Sequence, residues 1–229
     1  MRPDRPLRRG PAALLSAALL TAGLLLAGTA PYAAAESNGT ALSERDRATV
    51  ERIQTYIEGI DTLRAEFRQR SSNGTEATGT VWIDRPGKVR FEYDPPTDIV
   101  MIADGSWLLY FNRRLEQTSY VPVSETPLWP LLKADVDILG KQDFAVARVT
   151  RANDRIRVTV VRGGAKPGEP GSLELYFTDD PLALTRWRLV DQQGTVTVVD
   201  LAGVQRGVAI AAEKFDFNAL DLPKQGRQK

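Results

Sequence analysis

Five carboxylates, Glu92, Asp94, Asp98, Asp104 and Glu116, crowd one segment of this sequence. A pair of such groups held about 5–10 Å apart is what glycoside hydrolysis needs. Nothing in their spacing fixes a pair, because most fall at turns or on the polar face of alternating runs. Other catalytic chemistry lacks its reagents. The 229 residues include no cysteine and no histidine, which removes thiolates, disulfides, Cys-rich metal sites, imidazole bases and every Ser-His-Asp relay. Most enzyme classes are thereby disfavoured, and neither a cofactor nor a metal is implied. One arginine, Arg85, stands at a strand-to-strand turn in the tripeptide Arg85-Pro86-Gly87, where it is either a solvated turn residue or a donor to backbone carbonyls. Its five N–H donors stand at a turn and suit carbonyl oxygens.

The elements that must position Arg85 are strands. Val81 and Ile83, then Val89, Phe91 and Tyr93, alternate with polar residues, the mark of strands with one buried face. Arg85-Pro86-Gly87 and Asp104-Gly105 punctuate the run as reversals, so 79–120 reads as an antiparallel meander. Before it, Leu42, Val50, Ile53, Tyr56, Ile57 and Ile60 recur at spacings of three and four. That predicts an amphipathic helix capped by Ser43 and stopped at Gly59. From Leu63 the period changes to two, and a first strand is preferred to an extension of the helix to Gln69. After Tyr120, Pro122, Thr126, Pro127 and Pro130 surround Leu128, Trp129, Leu131 and Leu132. One or two short helices over 128–139 follow, with Thr126 as a cap. Further strands are expected at 144–149, 156–161, 172–178, 182–190, 195–201 and 208–217.

The fold implied is mainly β: about eleven strands in a strongly curved antiparallel sheet or incomplete barrel, with helices covering its concave face. Either large side chains fill the inside or a cavity remains. If a cavity remains, Val89 and Phe91, together with Leu128, Trp129, Leu131 and Leu132, are the candidates to line it and close it. Trp82, Tyr93, Met101, Leu109 and Trp187 share the same two alternatives, lining such a cavity or packing under the helices as ordinary core.

Arg2, Arg5, Arg8 and Arg9 precede an apolar run from Ala12 to Ala27, and Ala33-Ala34-Ala35 supplies small residues for cleavage before Glu36. Residues 1–35 are therefore expected to be a secretory signal peptide, and 36–229 a single domain. Residues 1–35 hold four basic groups and one acidic group, so the net charge of +1 for the whole chain becomes −2 for the remainder. No basic stripe survives, and nucleic acid is not an expected partner.

Trp82-Ile83, Arg85-Pro86-Gly87, Arg90-Phe91, Tyr93, Pro96, Ile99-Val100, Asp104-Gly105, Leu108, Tyr110, Leu115 and Gln117-Thr118 form an ordered series. It resembles the LolA-type carriers, which ferry lipoproteins across the periplasm to the outer membrane of Gram-negative bacteria. Two departures stand out: Leu108-Leu109 follows Asp104-Gly105 with Trp107 one position early, and the C-terminal end is poorer in Pro and Gly. The resemblance implies a non-enzymatic periplasmic chaperone that holds acyl chains in an apolar cavity, with Arg85 as the latch of its lid. It implies triacylated lipoproteins as cargo, an inner-membrane ABC-type lipoprotein-releasing complex as donor and an outer-membrane acceptor. A monomer is the simplest expectation. The alternative is a periplasmic sensor of the same fold that binds lipids or lipoproteins.

Overall fold

The computed structural model describes residues 42–139 and 144–220; the expected signal peptide lies outside them. Helix α1 (Glu44–Glu58) is capped by Ser43, whose hydroxyl accepts the Asp46 N–H. Glu44 and Asp46 occupy its first turn, where the helix dipole favours negative charge. Val50, Ile53 and Ile57 share its buried face.

Eleven strands follow: β1 (Thr62–Ser71), β2 (Glu76–Asp84), β3 (Lys88–Tyr93), β4 (Ile99–Asp104), β5 (Trp107–Asn112), β6 (Gln117–Pro122), β7 (Phe144–Ala152), β8 (Arg155–Arg162), β9 (Ser172–Thr178), β10 (Ala183–Val190) and β11 (Val196–Arg206). They form one antiparallel sheet in the order β6-β5-β4-β3-β2-β1-β11-β10-β9-β8-β7. Two meanders are thus joined where β1 pairs β11, with Phe67 opposite Leu201. Strands β6 and β7 do not pair with each other, so the sheet curves without closing.

Between β6 and β7 the chain makes a 3₁₀ turn, Val123–Glu125, and helix α2 (Trp129–Leu132). Four residues are far fewer than the helical span expected over 128–139. Pro127 and Pro130 each lack an N–H, and Lys133 is already extended (ψ 152°). Nor does Thr126 act as the cap: its hydroxyl donates to the Val123 carbonyl instead.

The inward face of the sheet and the two helices share one core. Val50, Ile53 and Ile57 of α1, Leu131 and Leu132 of α2, and Val136 and Ile138 beyond it meet Phe67, Phe91, Phe177 and Trp187 from the strands. Trp187 and Phe177 are essentially inaccessible. Of the two possibilities left open by the sequence, side-chain filling accounts for most of the interior.

A second, smaller core lies on the outer face, where Val100, Ile102, Leu109 and Phe111 of β4 and β5 are covered by Phe215. The covering segment is the stretch expected as a strand at 208–217. It is no strand. Gly207, with φ of 68°, turns the chain while its N–H bonds the Thr62 carbonyl, and the 3₁₀ turns Ala212–Phe215 and Phe217–Ala219 follow. Strand β11 is already flanked by β1 and β10, so the next segment has no free edge beside it. Its apolar residues are buried on the outer face instead.

Candidate functional site

Arg85 follows β2 and opens the turn to β3. Its backbone N–H bonds the Asp61 carbonyl at 2.8 Å, which aims the side chain at the ends of both helices. Nη1 donates to the carbonyls of Ile57 (2.5 Å) and Ile60 (3.3 Å), and Nη2 to those of Lys133 (2.6 Å) and Ala134 (3.0 Å). Such carbonyls lie past the last intrahelical donors and carry partial negative charge. One planar fork thus ties the C-terminal end of α1 to the chain leaving α2. Burial pulls the Arg85 pKa below the ordinary guanidinium value, with the charges of Glu58 and Asp61 opposing it. Its Nε is buried without a hydrogen-bond partner among the described residues.

Gly87 explains the rest of the tripeptide. Its φ is 77°, and a Cβ there would lie 2.8 Å from Gly105 backbone atoms. Only glycine lets the β2–β3 and β4–β5 turns touch. The Gly87 N–H also bonds the Leu132 carbonyl at 2.8 Å, docking the turn on α2 independently of Arg85.

At one side of the packed core an apolar cleft of about 450 Å³ remains, lined by Phe91, Met101, Leu108, Val121, Leu128 and Trp187 among others. Glu125, Asp191, Gln192 and Gln193 add polar groups to its lining. The candidate residues therefore separate. Phe91 and Leu128 line the cleft, whereas Val89, Leu131 and Leu132 are buried in the core and Trp129 packs half-buried against it.

Met101, Leu108, Val121 and Trp187 complete the lining, and strand register explains why. Phe91 is opposite Met101, Met101 opposite Tyr110, and Leu108 opposite Val121, one inward face read across four strands. Trp82 and Leu109 have the other parity and belong to the outer core. That core also had a signal: Ile99 to Ala103 is apolar throughout, as strands buried on both faces are.

Three of the five carboxylates are held by structural partners. Asp94 accepts from Thr78, and Asp104 caps its own turn through the N–H groups of Ser106 and Trp107. Glu92 takes Trp82 Nε1 at 3.1 Å and Lys214 Nζ at 2.9 Å. Burial would raise its carboxyl pKa, but those bonds and the charges of Arg90 and Lys214 outweigh burial and hold it below the ordinary range. An acid held ionised is a poor proton donor. Among the described residues no cluster of three or more acidic side chains could hold a metal ion.

Residues 58–218 match the family model described as outer membrane lipoprotein carrier protein LolA. An outer-membrane lipoprotein carrier protein of Pseudomonas entomophila is 28% identical over 195 residues, covering 81% of this chain and 90% of its own. The protein of the same name from Chromohalobacter salexigens is 28% identical over 178 residues, covering 73% and 81%. Among solved structures, a LolA superfamily protein from Nitrosomonas europaea aligns with 74% of this chain and 98% of its own, at 10% identity and a TM-score of 0.41.

Proposed function

Because the chain belongs to the LolA family of outer-membrane lipoprotein carrier proteins, we propose that it carries lipoproteins from the inner to the outer membrane as a soluble periplasmic chaperone. In this reading residues 1–35 direct export and are removed, and 36–229 are the carrier domain. The cargo is triacylated, an ABC-type complex of the inner membrane supplies it, an outer-membrane acceptor takes it, and the carrier is a monomer without catalysis of its own.

The observation that carries the mechanism is the clasp of Arg85 on both helix ends beside an apolar cleft. A cleft of about 450 Å³ is in the lower half of the range for small-molecule sites. Three long acyl chains exceed it, so loading must separate α1 and α2 from the sheet. Burial of each CH₂ contributes about 0.8 kcal/mol. Opening a packed core offsets part of that and keeps net affinity low enough for release. Arg85 sets the cost of opening, since its guanidinium must leave four carbonyls. In the open form Val89, Leu131, Leu132 and Trp129 join Phe91 and Leu128 around the chains.

Purification of the exported protein from periplasm tests this, with Arg85→Leu alongside. Lipoproteins should co-purify with wild type and be retained more strongly by the variant, which should transfer them poorly. Recovery of phospholipid alone, or identical loading and release by the two proteins, would count against the reading.

A further inference from the structure

The two edges of the sheet are built differently. Strand β7 carries Arg148 and Arg151 and is broken by a bulge between Val146 and Arg148. It is also tied to α1, Arg151 donating to Asp46 Oδ1 at 2.6 Å and to the Arg45 carbonyl at 3.0 Å. Charge, a bulge and a covering helix are among the devices that keep a sheet edge from recruiting another strand. Strand β6, Gln117-Thr118-Ser119-Tyr120-Val121-Pro122, carries no charge and no bulge, and among the described residues its ring contact from outside the sheet is Phe217 on Tyr120, at 6.0 Å. Its register against β5 runs unbroken from Asn112 opposite Gln117 to Trp107 opposite Pro122. Four of its six residues are exposed. Among the described residues its backbone pairs with β5 alone. Pro122 lacks an N–H and closes one end, which leaves Gln117–Val121 open.

The unprotected edge adjoins the cleft. Tyr120 and Val121 are consecutive and so project from opposite faces; they are 43% and 42% exposed. An added strand would cover part of each. Val121 also lines the cleft, so the edge begins at its mouth.

We propose that β6 is a docking edge for an extended, uncharged stretch of the cargo polypeptide beside its acylated residue, which adds to the sheet as a twelfth strand. This rests on the carrier reading. Acyl chains held in the cleft bring the polypeptide attached to them close to Val121. Pairing then becomes an intramolecular step at an effective concentration of roughly millimolar, and a short strand suffices. Backbone hydrogen bonds make the recognition independent of cargo sequence, as a carrier of many cargoes requires. The absence of charge on β6 favours cargo segments without charge. A second copy of the chain would dock on the same edge without any tether.

Hydrogen exchange on the full mature protein tests this with three probes: a triacylated lipopeptide with an uncharged ten-residue extension, the same lipopeptides N-methylated at alternate backbone amides in either parity, and a triacyl lipid without peptide. The expected result is slower exchange of the outward amides of Gln117–Val121 with the first probe and not with the third. One methylated parity should bind about tenfold more weakly. Equal affinity of all probes, with exchange at β6 unchanged, would overturn the docking edge and leave the carrier reading standing. Failure of every acylated probe to bind would overturn both. Protection of β6 without any probe, together with a dimer in sedimentation, would assign the edge to a second copy and overturn the proposal.

Discussion

Arg85 and Gly87 act on the same contact by different physics. Removing the guanidinium takes a charged donor from four carbonyls, of which that of Ile57 keeps the Ile60 N–H. Hydrogen bonds to charged groups are worth about 1.5–3 kcal/mol, but opening lets water reach these oxygens, so we expect Arg85→Leu to lose about 2–4 kcal/mol in urea unfolding. Arg85→Lys should be intermediate, since a point ammonium cannot span both pairs of carbonyls. Gly87→Ala fails sterically. Its Cβ would meet Gly105 backbone at 2.8 Å with φ at 77°, and a cost of about 1–3 kcal/mol is expected. Gly74→Ala is the control: φ is 85° but nothing among the described residues lies within 4 Å of the added Cβ, so only the left-handed strain of about 1–2 kcal/mol applies. Comparison of the two urea midpoints checks this. The tripeptide's place at a turn was legible in the sequence. That Arg85 also reaches the end of α1 was not, because Ile57 and Ile60 precede it by 28 and 25 residues and nothing local links them.

At the scale of the element, α1 is clasped along its length. Arg151 holds its N-terminal turn, Arg52 pairs with Asp179, Tyr56 accepts the Leu184 N–H at 3.1 Å, and Arg85 holds its C-terminal end. The Arg151 and Ser43 hydrogen bonds hold the Asp46 carboxyl below its ordinary pKa. A depressed carboxylate contributes stability that is fully present above the unfolded value of 3.8. That contribution is lost as pH falls through the lower folded value. The first turn of α1 should therefore fray on acidification below about pH 4, with hydrogen exchange at 46–50 as the readout. Asp46→Asn should remove that dependence. The effect is small because the pair is partly exposed. The C-terminal segment makes the larger contribution. Phe215 is 3% exposed against β4 and β5, so Phe215→Ala should destabilise by about 3–5 kcal/mol in urea unfolding. Its apolar residues were readable; their destination depended on which sheet edges were free.

At the scale of the molecule, the filled interior and the small cleft predict two modes of binding. A single acyl chain fits the cleft without moving α1, so wild type and Arg85→Leu should bind a monoacyl probe alike in calorimetry. Triacylated cargo must also open the core. It should bind Arg85→Leu more tightly by about tenfold for each 1.4 kcal/mol removed from the cost of opening. Equal ratios for the two ligands would mean that no opening step separates them.

The sequence alone determined that this is a sheet protein with one amphipathic helix, that its strands meander, and that imidazole and thiol chemistry is absent. Those properties are local, because period, capping and composition act within a few residues. The tertiary structure decided which of two alternating sets faces inward, so that Phe91 and Met101 lie by the cleft while Trp82 and Leu109 lie outside. It also decided how much of the hollow side chains fill. Alternation defines two faces of a strand without saying what covers each. That depends on α1, α2 and the 208–220 segment, which meet the strands across separations of up to about a hundred residues or more.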